Sequence, residues 1–286
     1  MSAPAGPPVT VVVMTRNRWD DLAASLPHHE APVIVVDNGS TDGTPQRVRQ
    51  SFPSVAVIEL HRNLAAVARN VGVEAATTPY VAFADDDSWW EPGALARAAA
   101  ILDAHPRLAV LAGRILVGTD GRPDPVCEAM AASPLGTEAD LPGPSVLGFV
   151  ACGAVVRRDA FLDAGGFDQV IGFPGEEEGL ALDLADRGWG LAYVDDVVAH
   201  HHPSSSRSTS HARRVLETRN DLLTCLLHRP WPVVGRRFLD VWRAGSVGRA
   251  AVLRAIRRAP RALRHRRPTS PSVEMRRRRL DGLSPG

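Results

Sequence analysis

Several groups of polar residues in this 286-residue chain follow apolar runs closely enough to be delivered to one place. Asp85, Asp86 and Asp87 close the run Tyr80–Ala84. Carboxylates at a strand end can converge on one hard divalent cation, and such a cation commonly bridges phosphate oxygens. The triplet also reads as a solvated turn in which one Asp caps the helix expected near Pro92. Asp37 ends the run Val33–Val36 and opens Asn38-Gly-Ser-Thr-Asp-Gly-Thr44. An acid after such a strand can accept hydrogen bonds from a nucleoside base or ribose, although Asx residues and glycines also serve as loop punctuation. Glu176, Glu177 and Glu178 precede the pattern Leu180, Leu182, Leu184. A helix dipole favours acids at its N-terminus, and one of the three could be a general base. His200, His201 and His202 follow Leu191–Ala199 and offer either imidazole ligands or a polar loop.

The elements that must position these residues are legible as a rhythm. Val9–Met14, Val33–Val36, Val55–Leu60, Tyr80–Ala84 and Leu108–Val117 are apolar or β-branched runs. Helical stretches are expected at Trp19 to about Leu26, Ala65 to about Ala76, and Pro92–Ala104. Continuous apolar strands alternating with helices predict a parallel sheet covered on both faces. Ligands of such sheets sit beyond the carboxyl ends of the strands. Thr15 and Asn17, Asp37 and Asn38, and Asp85–Asp87 all fall at those ends. Residues 118–145 are rich in Pro, Gly and Ser and are expected to be irregular. Regular structure is expected again at Val146–Val156, Asp159–Ala164, Glu176–Arg187, Leu191–Ala199 and His211–Leu227.

Composition narrows the classes. With 44% hydrophobic residues, the first 228 positions can bury one core, which excludes global disorder. Cys127, Cys152 and Cys225 have no metal-type spacing and leave one cysteine over, which fits a reducing cytosol better than a disulfide scaffold. No run approaches the roughly 18 apolar residues of a membrane span. Residues 1–8 lack the basic and apolar parts of a signal peptide and are expected to be disordered. The formal charge of +1 conceals a division: residues 1–228 hold 17 Arg against 29 acids, and 229–286 hold 16 Arg against 3. There is no lysine. In the basic segment 229–267, Val234, Phe238, Val241 and Trp242 form a helical stripe, and Val252 and Ile256 lie among Arg254, Arg257, Arg258 and Arg261. That pattern suits peripheral contact with an anionic membrane; a packed terminal helix with a solvated tail also fits it. Residues 268–286, including Arg276–Arg279, are expected to be disordered. No motif supports nucleic-acid binding.

In order and spacing, residues 9–228 resemble the family 2 glycosyltransferases of the GT-A fold, in particular bacterial rhamnosyltransferase-like members. Val11-Val-Val-Met-Thr-Arg-Asn-Arg18 looks like the opening strand and loop, and Val36-Asp-Asn-Gly-Ser-Thr-Asp-Gly-Thr44 like the nucleotide-contact strand. Asn63-Leu-Ala-Ala-Val-Ala-Arg-Asn-Val-Gly72 is similar to the helix that follows. Ala84-Asp-Asp-Asp87 stands where the DXD motif belongs, and Cys152–Arg158 with Gly165-Gly-Phe-Asp168 looks like the acceptor-side segment.

The resemblance implies a Rossmann-like, mostly parallel sheet flanked by helices, followed here by a basic helical extension. It implies an inverting hexosyltransferase that uses a nucleotide-sugar donor and a glycan, lipid-linked or small-molecule hydroxyl acceptor. Asp37 would contact the nucleoside, with Thr15, Asn17, Asn38, Arg69 and Asp86 around the donor. Asp85 and Asp87 would hold Mg2+ or Mn2+, with the family's histidine falling near His201 or its neighbours His200 and His202. The family's acid pair falls on Glu176 and Glu177, which makes Glu177 the candidate base. Three departures stand out: Ala65 where the family often has Gly, Glu rather than Asp at 177, and Gly179 where a further Asp is usual. A nucleotidyltransferase and a non-catalytic sugar-nucleotide or glycan-binding protein are the alternatives. A nucleotidyltransferase would be expected to have a Gly-rich basic loop near residues 15–25, and none is present.

Overall fold

The computed structural model describes residues 7–203 and 211–282. Among them a nine-stranded sheet runs in the order β3-β2-β1-β4-β8-β6-β9-β5, with β7 (Arg122–Pro123) paired to β6. Strands β1 (Val9–Thr15), β2 (Val33–Asp37), β3 (Ala56–Glu59) and β4 (Tyr80–Asp85) are mutually parallel. Their crossovers are helices α1 (Trp19–Ser25), α2 (Thr44–Ser51) and α3 (Ala68–Ala75). Strand β8 (Ala154–Arg157) runs antiparallel to both β4 and β6 (Leu108–Val117). Strand β9 (Gly190–His201) is parallel to β6 and pairs antiparallel with the short β5 (Ser88–Trp90).

Both faces of the sheet are buried, as continuous apolar strands require. Val11, Val13, Val35, Ala82 and Leu111 belong to one core cluster; Val12, Val36, Val81, Phe83 and Val110 belong to the other. Successive strand residues alternate between the faces, so the central side chains of these runs are covered on both. Helix α3 lies so close to the sheet that a Cβ on Gly72 would stand 2.4 Å from Val12 Cγ1. Helices α4 (Ala94–Ala104), α6 (Arg158–Asp163) and α7 (Glu177–Asp186) complete the layers.

Several expectations change. Within 118–145 there is a helix, α5 (Pro125–Ala131), started by Asp124, whose side chain accepts from the Val126 N–H, with Pro125 at the first helical position. Of Val146–Val156, only the end is strand. Helix α8 (His211–His228) shares a core with α9 (Trp231–Arg243), α10 (Ser246–Arg264), Val170 and Ile171. Residue 228 therefore does not separate two independently cored parts. On the basic segment, Val234, Val241 and Val252 are buried in that core.

The expected disorder over 268–286 is also corrected, since Pro271–Leu280 is helix α11. Val273 enters the main core, and the buried Glu274 accepts from Arg229 at 2.6 Å. Arg276 meets Glu138 at 3.1 Å and Arg277 meets Glu178 at 2.7 Å. Two arginines of a run that reads as solvated in sequence, Arg276 and Arg277, thus meet acids of the sheet domain. Residues 1–6 of the expected N-terminal disorder, and 283–286 of the tail, lie outside the described residues.

Ala65 takes φ +52°, the left-handed region that favours glycine. This gives a physical reason for glycine being usual there. Its backbone is held by two asparagines: Asn63 Oδ1 accepts from the Ala65 N–H at 2.8 Å, and Asn38 Nδ2 donates to the Ala65 carbonyl at 3.0 Å. A left-handed alanine costs about 1–2 kcal/mol, and glycine returns part of that gain as unfolded-state entropy. Ala65→Gly is therefore expected to raise unfolding stability by about 0.5–1 kcal/mol, measured by urea denaturation; a loss of stability would contradict the strain.

Candidate functional site

Strand register assembles the site. The β1–β2 pairing sets Thr15 opposite Asp37, and the β1–β4 pairing sets Met14 opposite Asp85. All three strands point the same way, so their last residues reach one edge.

At that edge Asp85, Asp87 and His201 each offer a ligand atom, and these atoms lie within 4.8 Å of one another. His201 Nε2 is 3.4 Å from Asp87 Oδ1. The three adjacent histidines separate by strand alternation. His200 stacks on Trp89 at 5.6 Å and His202 meets the same ring edge-on at 4.6 Å, while His201 faces the carboxylates. Two carboxylates and one imidazole are a donor set suited to Mn2+ or Mg2+, so the residues present fit the cation that the resemblance implies.

Asp86 points elsewhere. Its Oδ2 accepts from Thr15 Oγ1 at 3.3 Å, its Oδ1 is 3.5 Å from Arg18 Nε, and its carbonyl accepts from Ser25 Oγ at 2.9 Å. Arg18 also reaches Asp87 at 3.2 Å and Asp21 at 3.0 Å. Sequence reasoning passed over Arg18; its position in the loop after β1, beside Thr15 and Asn17, was the available signal. Met14, Thr15, Arg16, Arg18, Asn38, Asp85, Asp86 and Phe173 line a cavity of about 260 Å³.

Asp37 is buried, and its Oδ2 accepts from the Ser40 N–H at 2.9 Å. Its Oδ1 has no hydrogen-bond partner among the described residues, leaving a buried acceptor for a ligand donor. Asn17 and Asn38 serve the loops. The Asn17 N–H donates to Ser40 Oγ at 2.8 Å and its Oδ1 accepts from the Thr41 N–H at 2.7 Å. Asn38 Oδ1 accepts from the Leu64 N–H at 2.7 Å while its amide nitrogen holds Ala65. Asn38 thus sets the entry into the helix that carries Arg69.

Arg69 joins the two halves of the site. It is 1% exposed, donates to Asp85 Oδ1 at 2.7 Å and to Glu176 Oε1 at 2.8 Å, and packs over Phe167. Burial works against its charge, but Asp85, Glu176 and Glu177 more than offset that and hold its pKa above the ordinary arginine value. Glu176 is fully buried. Burial, reinforced by the neighbouring Glu177, pushes its carboxyl up to about 8 against the pull of Arg69. Burial also raises Glu177, which is half-buried and accepts from the Ala151 N–H at 3.3 Å. At Gly179 a Cβ would meet Ile171 Cδ1 at 2.7 Å, so a third acid has no room there.

The chain matches the family model for glycosyl transferase family 2 over residues 10–165. It belongs to glycosyl transferase family 2. It is 34% identical over 220 residues to a pre-mycofactocin glycosyltransferase of Mycobacterium tuberculosis, covering 72% of this chain and 45% of that protein. It is also 29% identical over 210 residues to an N-acetylglucosaminyl-diphospho-decaprenol L-rhamnosyltransferase of the same species, covering 61% and 67%. The chain thus spans about half the length of the first of these relatives. Among solved structures, a mannosyltransferase from Pyrobaculum calidifontis in complex with GDP-Man and Mn2+ superposes with a TM-score of 0.58 at 22% identity, covering 91% of this chain and 75% of that one. TarS 1–349 of S. aureus with UDP-GlcNAc superposes at 0.56 and 17% identity, covering 96% and 92%. These likenesses define the GT-A fold, a mostly parallel sheet flanked by helices.

Replacing Arg69 by Met removes the counter-ion of a fully buried carboxylate. The expected loss of stability is about 3–5 kcal/mol where Glu176 is ionised, and it is relieved where Glu176 takes up a proton. Without Arg69 the folded pKa of Glu176 rises further above its unfolded value, so the folded state binds more protons and stability falls as pH rises. The deficit of Arg69→Met against wild type should be larger at pH 8 than at pH 6 in chemical denaturation. Adding Glu176→Gln should recover part of it. A deficit independent of pH would refute the ion-pair account.

Proposed function

We propose that this chain transfers a sugar from a nucleoside-diphosphate sugar to a hydroxyl acceptor, with inversion at the anomeric carbon. The observation that carries the reading is the convergence of Asp85, Asp87 and His201 at the edge of the parallel strands, tied by Arg69 to the glutamates that start α7. Two solved structures of the same fold hold GDP-Man with Mn2+ and UDP-GlcNAc, which supports a nucleotide-sugar donor. Asp37 accepts from the nucleoside through Oδ1, and the neighbouring cavity takes the rest of the nucleotide. A divalent cation held by Asp85, Asp87 and His201 would neutralise charge on the departing diphosphate. The acceptor oxygen attacks the anomeric carbon as the bond from that carbon to the diphosphate oxygen breaks, and the hydroxyl proton passes to a carboxylate.

Glu177 is the residue we assign as base. It is open enough to meet an acceptor, whereas Glu176 is sealed against Arg69. A raised proton affinity favours its task, because a base near the working pH removes a hydroxyl proton more readily. Asp87→Ala should abolish metal-dependent release of nucleoside diphosphate from UDP-, GDP- or dTDP-sugars while leaving the protein folded. Glu177→Gln should retain donor binding and lose turnover by about 100-fold or more. Full activity of the first variant would remove the metal assignment, and unchanged turnover of the second would move the base to a neighbour.

Place is a separate matter. No helix among the described residues is long and apolar enough to cross a membrane. Helix α10 nevertheless exposes Leu253, Ile256 and Leu263 at i, i+3 and i+10, beside Arg257 and Arg264, and α9 exposes Trp231, Leu239 and Trp242. An apolar stripe bordered by arginine suits the surface of an anionic bilayer. Sedimentation with phosphatidylglycerol liposomes should deplete the protein from solution, and Leu253→Ser/Ile256→Ser should reduce that; equal partitioning of the two would remove lipid contact.

A further inference from the structure

Several arginines of the C-terminal segment end on acids, as Arg229, Arg267, Arg276 and Arg277 do. Among the described residues, Arg219 on α8 and Arg254 and Arg258 on α10 do not. Arg219 is 9% exposed, and among the described residues its guanidinium meets neutral oxygens, Asn220 Oδ1 at 2.6 Å and the Ile171 carbonyl at 3.4 Å. Arg258 donates to the Val170 carbonyl at 3.1 Å. Both heads close on Gly172: a Cβ there would stand 3.8 Å from Arg258 Nη1 and 3.9 Å from Arg219 Nη2. Burial and the charges of Arg258 and Arg254 lower the Arg219 pKa to about 10, with no carboxylate opposing them. A buried cation that faces like charges and lacks a counter-ion is costly, and guanidinium groups converging in this way match the oxygens of a phosphate.

The location gives the charge a use. Gly172 is followed by Phe173, which is exposed and lines the donor-side cavity, and then by Pro174, Gly175 and the two glutamates. Asn220, next to Arg219, donates to the Pro174 carbonyl at 2.6 Å, so the loop is fixed from the arginine side. The same loop runs directly into Glu176 and the proposed base Glu177.

We propose that Arg219, Arg254 and Arg258 bind a phosphate or diphosphate group of the acceptor, so that the hydroxyl to be glycosylated is carried on a phosphorylated molecule. The assignment rests on the transferase reading for the word acceptor, while the anion site itself does not. The ligand chemistry is shared by a lipid-linked diphosphate and a soluble sugar phosphate. The loop-pinning bonds to the Val170 and Ile171 carbonyls use few of the donors available, since each guanidinium carries five N–H groups.

The test is calorimetric titration of the full chain with inorganic pyrophosphate and with farnesyl diphosphate, in EDTA so that metal-bridged binding is silent. Wild type should bind both at one site, with affinity falling as salt is raised. Arg254→Gln/Arg258→Gln changes two exposed residues, and its melting temperature serves as the fold control. It should bind at least about 10-fold more weakly, the loss expected for charge-assisted phosphate contacts. Tighter binding of farnesyl diphosphate than of pyrophosphate would identify a lipid-linked source, and equal binding a soluble one. Absence of binding by wild type, or equal affinity in the folded double variant, would overturn the site. Metal-dependent stabilisation by nucleoside diphosphates, measured separately, reports the donor site, so failure of the transferase reading and failure of this one are told apart.

Discussion

The buried guanidinium of Arg69 is the contact on which the site depends. It holds the end of β4 through Asp85, 16 positions away along the chain, and the start of α7 through Glu176, 107 positions away. One cation stands among three acids once Glu177 is counted. A buried ion pair of this kind gives little net stability compared with apolar packing, but losing one partner is expensive. The arrangement therefore acts as a constraint on geometry. It fixes the distance between the residues proposed for the donor and those proposed for the acceptor. Its own placement follows from close packing, because Gly72 lets α3 press onto β1 and Asn38 holds the loop that enters it.

The uneven charge of the chain has a structural counterpart. Acids of the sheet domain and arginines of the C-terminal segment meet across an interface that includes α7. Arg267 reaches Asp183 at 2.6 Å and Asp168 at 2.9 Å, and the Ser270 N–H donates to Asp186 at 2.6 Å. The helix that bears Glu176 and Glu177 is thus held by Arg69 at its first turn and by the basic segment along its length. Net neutrality is local pairing over part of this surface. On α10 it is not, since no arginine of that helix forms an ion pair with an acid among the described residues.

Much of the sheet half was legible because its signal is local. Continuous apolar runs become strands covered on both faces, and the polar residue at the end of each run falls at the carboxyl edge. Leu108–Val117 is a strand to the residue, and Thr15, Asp37 and Asp85 share one edge as their positions require. Less was legible where partners are distant. Pro125–Ala131 was hidden in a Pro- and Gly-rich stretch, although Asp124-Pro125 is a helix start. Helix α11 was hidden because an arginine run carries no mark of acids that lie far away in sequence, such as Glu138 and Glu178.

The sequence by itself determined the family, the parallel half of the sheet and the chemical types at its edge, because period and residue type are properties of neighbours along the chain. Only the tertiary structure decided that His201 rather than His200 or His202 faces the carboxylates, that Asp86 turns toward Arg18, and that Glu176 is sealed by Arg69 while Glu177 stays half-open. Those choices depend on strand register and on which long-range partner neutralises each charge. Neither is written in any one segment, since the energy of a buried charge is set by what surrounds it in space.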